Sequence, residues 1–258
     1  MAHPSESGHW YSRDGKLCYE VPYADPSKGM RPATLKDAKK LGLVPGVSTI
    51  INEAAKPGLE RWKITQSILS ALTLPRLPDE SLDAFAERAR ADSQEQARKA
   101  AERGTAIHAA IQGHYEGIPP DDALLVYVQA AAKAVDGWTA DRAPFEWAPE
   151  TSFASPLGFG GKVDLAGSCE VVLDFKSKEF SHTDKKLAWD EQCIQLAAYR
   201  EGLQMPTARC ANVYVSVNNP GLIHVHEWTE PKLQRGWRMF QALLSFWMAK
   251  TGYQHDPR

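Results

Sequence analysis

Two aspartates and a lysine, Asp164, Asp174 and Lys176, stand within the stretch 158–178, GFGGKVDLAGSCEVVLDFKSK. Carboxylates held side by side attract a hard divalent cation such as Mg²⁺, which takes oxygen ligands and leaves positions for phosphate. A lysine beside them adds positive charge for a phosphate oxygen or an attacking water. Strand side chains alternate, so Asp174 and Lys176 share a face while Phe175 points the other way. A three-residue loop, Ser168-Cys169-Glu170, pairs Leu165 with Leu173 and Ala166 with Val172. It sets Asp164 opposite Asp174 with Cβ atoms about 5 Å apart. A two-residue loop would send the acids to opposite faces. If the preceding connection turns at 155–158, Glu150 lies opposite Asp164 and three carboxylates form a row. Such a row is unfavourable unless a cation or protons join it. Gly158, Gly160 and Gly161 leave one surface bare for a bulky polymer backbone. The same residues also read as solvent-facing charges on an amphipathic hairpin, and the stretch alone leaves both readings open.

The elements that must hold these residues show a change of period along the chain. Residues 8–24 read as a small hairpin turning at Arg13-Asp14-Gly15-Lys16, and 25–46, rich in Pro, Gly and Lys, as irregular. Helical spacing begins near Val47, with Ser48 or Thr49 as N-cap and a break at Pro57-Gly58. After a Pro-rich connection at 74–81, a helix is expected over 82–116, interrupted by Gly104, and another over 121–140. The pattern then turns to period two, with strands at 145–154, 159–166 and 171–177. A helix at 186–204, strands at 209–217 and 222–228, and a helix at 231–250 complete an α/β domain with a mixed sheet.

The 258 residues suit a single domain of 1–258, with 1–103 as an N-terminal hairpin and helical arm and 104–250 as the core. The hydrophobic fraction of 43% excludes a wholly disordered chain, and a net charge of −2 gives no global pull toward nucleic acid. Cys18, Cys169, Cys193 and Cys210 are far apart with no CxxC, which speaks against a disulfide framework or a zinc site. No apolar run reaches the ~18 residues of a membrane span. The first residues lack a signal-peptide core, so a cytoplasmic protein with no membrane partner is expected.

G-G-K-V-D (160–164), L-D-F-K (173–176) and Q-L-A-A-Y (195–199) resemble the PD-(D/E)XK nuclease superfamily, in its RecB-like branch. That branch shows G-x-x-D, D-x-K and Q-x-x-x-Y in this order. R-G-T-A-I-H (103–108) resembles its upstream histidine element. V-S-T-I-I with E-R-W (47–62) is similar to the N-terminal part of phage exonucleases and of the mitochondrial genome-maintenance exonuclease. The resemblance implies a restriction-endonuclease-like core: a central mixed sheet flanked by helices, with an N-terminal helical arm. It implies Mg²⁺ or Mn²⁺ held by His108, Asp164, Asp174 and the main-chain carbonyl of Phe175, and a water oriented or activated by Lys176. Gln195 and Tyr199, one helical turn apart, would support the catalytic groups or touch the DNA backbone. Glu150 matches more loosely an acid before G-x-x-D. Lys178, Lys185 and Lys186 would contact phosphates with salt-sensitive affinity. The implied substrate is DNA, single-stranded or duplex with a free end. The setting is a bacterial or phage-infected cell, with a single-strand annealing or replication protein as partner. Because Cys193 and Cys210 are 17 apart and Cys169 sits in the hairpin, no iron–sulfur cluster is expected. An endonuclease of the same fold and a non-catalytic DNA-binding module are the alternatives. A glycosidase would use the carboxylates but give Lys176 no role.

Overall fold

The computed structural model describes residues 9–142, 146–168 and 170–255. Gly8 of the expected hairpin, Phe145 of the first expected strand and Cys169 of the loop lie outside the described residues. At the N-terminus, the turn forms where the sequence places it, with Ser12 N donating to Lys16 O at 2.8 Å. Its first arm, β1 (Trp10–Tyr11), nevertheless pairs mainly with β4 (Val44–Pro45), while β2 (Glu20–Pro22) pairs with β3 (Met30–Pro32). Residues 25–46 are therefore more ordered than expected. They also contain α1 (Leu35–Leu41), set by a capping box in which the Thr34 hydroxyl accepts from Asp37 N and the Asp37 carboxylate accepts from Thr34 N.

Helix α2 (Val47–Ile51) starts from Gly46 rather than from Ser48 or Thr49, and Gly46 bridges Gly160 of the main sheet. Helix α3 (Pro57–Thr73) begins with Pro57 itself, a residue preorganised for the first helical position. Helix α4 (Leu82–Tyr115) runs unbroken through Gly104. A Cβ there would meet Ser177 Cβ at 3.5 Å, an ordinary van der Waals contact, so the helix accommodates the glycine without a close approach that demands it. Helix α5 (Asp122–Thr139) follows.

Five strands then build one mixed sheet in chain order: β5 (Trp147–Ser155), β6 (Phe159–Gly167), β7 (Val171–Lys178), β8 (Arg209–Ser216) and β9 (Ile223–Trp228). Only β7 and β8 run parallel, joined by a crossover through α6 (Asp190–Gly202), which starts later than the expected residue 186. Helix α7 (Glu230–Thr251) closes the chain. The central strands read as near-continuous apolar runs because both their faces are covered. On one face, α4 and α5 pack Ile107, Ile111, Tyr127 and Val128 against Leu165, Leu173, Phe175 and Val213. On the other, α2, α6 and α7 pack Ile50, Ile194, Tyr199 and Phe240 against Phe153, Val163 and Val172. Among the described residues no helix is long and apolar enough to cross a membrane.

Candidate active site

The hairpin β6–β7 has the register that the spacing predicts: Leu165↔Leu173, Ala166↔Val172 and Gly167↔Val171, closed by residues 168–170. The last of these, Glu170, adopts φ +55, the left-handed closing residue usual in three-residue hairpin loops. The ladder stops one residue short of the two acids. Val163 packs with the cluster beneath α6, whereas Leu165 packs with the one beneath α4, so the alternation of β6 slips at Asp164. Released from the ladder, the Asp164 carboxylate turns between the strands and its Oδ2 accepts the Phe175 amide at 2.8 Å. A side chain thus replaces a strand partner, and no backbone donor is left orphaned at this point.

Asp174 lies on the opposite face from Phe175 and is only 1% exposed. A buried carboxylate needs partners, and two neighbouring strands supply them. Lys176 Nζ donates to its Oδ1 at 2.9 Å and lies 2.8 Å from Oδ2. Asn212 Nδ2, directly across the parallel pair on β8, donates to Oδ2 at 2.7 Å. Asn212 Oδ1 is fixed in turn by Trp228 Nε1 at 2.7 Å. On the helix side, Lys176 Nζ also reaches Gln195 Oε1 at 3.3 Å, and Gln195 Nε2 donates to Tyr199 OH at 2.8 Å. Gln195 and Tyr199 therefore present one helix face to the lysine, as their spacing predicts. The network runs unbroken from Trp228 to Tyr199. Asn212 and Trp228 escape a search for acids, bases and ligands. Asn212 was nonetheless visible as one polar residue inside the apolar run CANVYV.

His108 arrives from the other face. Gly104, His108, Ile111 and Tyr115 follow one stripe of α4, and that stripe lies on β7. His108 Nε2 sits 2.9 Å from Asp164 Oδ2, with its ring edge-on to Phe175 at 6.2 Å. A cleft of about 330 Å³ opens beside these groups, lined by Ala101, Gly104, Thr105, His108, Phe175, Lys176 and Ser177. Four chemically active side chains from α4, β6 and β7 thus meet beside one opening.

Electrostatics follow from this crowding. Burial, reinforced by the Asp164 charge against the pull of Lys176, pushes the Asp174 carboxyl up to about 6. Burial alone would lower Lys176, but the Asp174 and Asp164 charges outweigh it and hold the ammonium above its ordinary value. The hydrogen bond to Asp164 raises His108 against its own burial. Burial also raises Tyr199, keeping it a neutral phenol.

Other sequence candidates go elsewhere. The register sets Glu150 level with Asp164, yet Glu150 takes φ +51, makes no ladder pair there, and joins Lys162 in an ion pair. Lys178 is half-buried, donating to Leu187 O at 2.6 Å and lying 4.5 Å over the Tyr214 ring. Lys185 and Lys186 are exposed, the latter 4.1 Å over Trp189. Cys18, Cys193 and Cys210 are free thiols. Among the described residues no three His, Cys, Asp or Glu side chains stand as a ready-made ion cage. His108 is turned onto Asp164, and Lys176 onto Asp174.

No protein-family model matches the chain, and no curated protein sequence is significantly similar to it. Among solved structures, it is similar to a candidate exonuclease from Eubacterium rectale at 14% identity and a TM-score of 0.40, over 58% of this chain and 68% of that one. It is also similar to the alkaline exonuclease LHK-Exo of Laribacter hongkongensis at 12% identity and a TM-score of 0.31, over 75% of this chain and 95% of that one. The same enzyme in complex with dAMP gives 12% and 0.26, over 73% and 88%. At these scores the likeness carries no argument about activity, which rests on the site itself.

Proposed function

We propose that this chain is a Mg²⁺- or Mn²⁺-dependent deoxyribonuclease with a restriction-endonuclease-like core, an exonuclease of phage-type DNA recombination, replication or repair. The observation that carries the reading is the meeting of Asp164, Asp174, Lys176 and His108 beside one cleft. Surface charges of a hairpin would not be buried, cross-braced by Asn212 and gathered from both faces of a sheet.

The donor set suits a hard cation. Asp164, Asp174 and the main-chain carbonyl of Phe175 offer oxygen, and His108 a nitrogen acceptable to Mn²⁺. Burial and mutual repulsion already push Asp174 upward, a penalty that a divalent ion would relieve. When bound, the metal would lower the pKa of a water and stabilise charge on the leaving oxygen. Lys176, held between Asp174 and Gln195, orients that water or takes a phosphate oxygen. Tyr199 and Gln195 fix the lysine head, while Lys185 and Lys186 offer exposed charge to the strand. Glu150, level with Asp164 and paired with Lys162, is the acid of the neighbouring strand assigned to the site with it. Single-stranded DNA or a duplex with a free end is the substrate, and a single-strand annealing or replication protein the companion in the cell.

The test is digestion of 5′- and 3′-labelled single- and double-stranded DNA, and of a circle, with and without Mg²⁺. Metal-dependent loss of label is expected, and Lys176→Ala should lose about 10³-fold in rate, as for removal of a preorganised electrostatic group. Full activity of Lys176→Ala would sink the mechanism. Cleavage of the circle would turn the exonuclease into an endonuclease, and binding without cleavage would leave a DNA-binding module.

A further inference from the structure

Trp189 precedes the first turn of α6, six residues before Gln195, so about 9 Å from it along the helix axis. It is 42% exposed, although indole is a large apolar surface usually buried apart from its N–H. Its surroundings are specific. Lys186 Nζ sits 4.1 Å from the ring centroid, over one face. Gly58 in the first turn of α3 abuts the ring edge, where a Cβ would come within 3.9 Å of Cη2 and 4.0 Å of Cζ3. A residue four positions on lies on the same helix face, and that residue is Trp62, 46% exposed. Two open tryptophans therefore line one track that starts beside the Gln195 helix and runs out along α3.

The charge around the track is mixed but leans positive. Lys186 lies over Trp189 with exposed Lys185 next to it in the chain, Lys56 and Arg61 stand within three residues of Gly58, and Lys63 is matched by Glu60 at 3.0 Å. Asp190 faces away, lining a separate small pocket with Cys193 and Lys232, and Glu191 lies on the Tyr214 side. An apolar protein partner would favour the aliphatic flank of α3, formed by Ile64, Ile68 and Leu72. Flat indole faces with ammonium groups beside them suit flat rings joined by anions, as in aromatic stacking of nucleobases with lysines on the backbone.

We propose that Trp189, with Lys186 over one face, is a stacking platform for a nucleobase of a single-stranded DNA end entering the cleft, and that Trp62 continues the track outward. This deepens the nuclease reading and rests on it. Because the bases of a duplex have both faces occupied, the platform selects single strands or frayed ends.

The experiment measures binding of full-length protein in EDTA to a labelled oligothymidylate and to a blunt duplex across a salt series. Trp189→Ala should lose about tenfold or more in affinity for the single strand, with an unchanged salt slope and little effect on the duplex. Trp189→Phe should restore most of it. Lys186→Ala should instead flatten the salt slope by about one. Walking one abasic position along the oligonucleotide should find a site where wild type loses affinity and Trp189→Ala does not, the non-additivity expected of direct contact. Melting curves of each variant separate lost contact from lost fold, since Trp189→Phe and Trp62→Ala read the track without emptying the Gly58 contact. The proposal is overturned if folded Trp189→Ala binds the single strand like wild type, or if no abasic position couples to it. A wild-type protein that neither binds nor cuts any DNA would instead overturn the nuclease reading beneath it.

Discussion

Two helices, α6 behind the catalytic strand and α3 in the N-terminal arm, are built on opposite plans. Helix α6 buries eight of its residues, among them the charged Arg200, whose guanidinium grips Glu230 at the start of α7. Its contacts are close: a Cβ at Gly236 of α7 would meet Cys193 O at 3.1 Å, and one at Gly202 would fall inside the Phe153 ring. Helix α3 buries only Ser70. It leans on α4 through small residues, with Ser67 Oγ 3.4 Å from Ser93 Oγ, and turns its large apolar side chains outward. Gln195 and Tyr199, which are proposed to fix the Lys176 head, hang from the over-determined helix, where half an ångström matters. The outer end of the proposed track, Trp62, lies on the lightly held one, where local opening costs little.

Glycine substitutions break this contrast most sharply. Gly202→Ala should cost about 3 kcal/mol, because Phe153 must move and it packs on Tyr199 as well. Gly104→Ala, where a Cβ meets only Ser177 at 3.5 Å, should leave the melting temperature within a few degrees. Paired thermal melts decide; equal losses would mean that α4 is seated on β7 as tightly as α6 is on the sheet. Next comes Asn212→Ala, which orphans Trp228 Nε1 and one bond to Asp174. It should cost about 2 kcal/mol in urea unfolding and about 10- to 100-fold in metal-dependent cleavage. An unaffected rate would remove Asn212 from the support of the site.

A smaller effect tests the electrostatic side of the rigid region. The folded-state pKa of Asp174 stands above its ordinary value, at about 6. The native protein therefore binds more protons than the unfolded chain between that value and the ordinary carboxylate range. The contribution of this group to stability falls as pH rises through the window. Asp174→Asn abolishes the dependence. In EDTA, the melting temperature of the variant relative to wild type should be a few degrees more favourable at about pH 8 than at about pH 5, while cleavage is lost. A difference that does not vary with pH would mean that Lys176 neutralises the carboxylate fully.

The same contrast explains what was legible in the sequence. Period-two runs placed β5, β6 and β7 within two residues, and the symmetric spacing about residue 169 gave the β6–β7 register, because a buried face tolerates no slip. The Gln195–Tyr199 face could be read for the same reason. What spacing could not show is that the ladder would stop at Asp164, since that depends on the carboxylate outcompeting a strand for the Phe175 amide. Gly104 looked like a helix break because propensity is local, whereas the packing of Ile107 and Ile111 on the sheet, which carries the helix through, is tertiary. Residues 25–46 looked irregular because their strands are two or three residues long and are held by partners distant in sequence. For Lys178, what the sequence could not show is that folding brings Leu187 O and the Tyr214 ring to its ammonium.

The weakest expected effects belong to the outer face of α3, and there the two flanks of one helix can be set against each other. Leu72 is 77% exposed, so Leu72→Ser removes little buried area and should change stability by no more than about 0.5 kcal/mol. Ser70, on the inner flank, is buried, as are Ala89 and Ser93 of α4, the helix that α3 packs on. Ser70→Leu has no cavity to fill and must pry α3 from α4, at about 1–3 kcal/mol. Hydrogen exchange should report that loss in α3 and the start of α4 while the amides of β7 and α6 stay protected, if the arm opens as a unit of its own. Deprotection spreading into α6 would show that the arm braces the site, and the division into a rigid chemical half and a loosely held substrate half would fall.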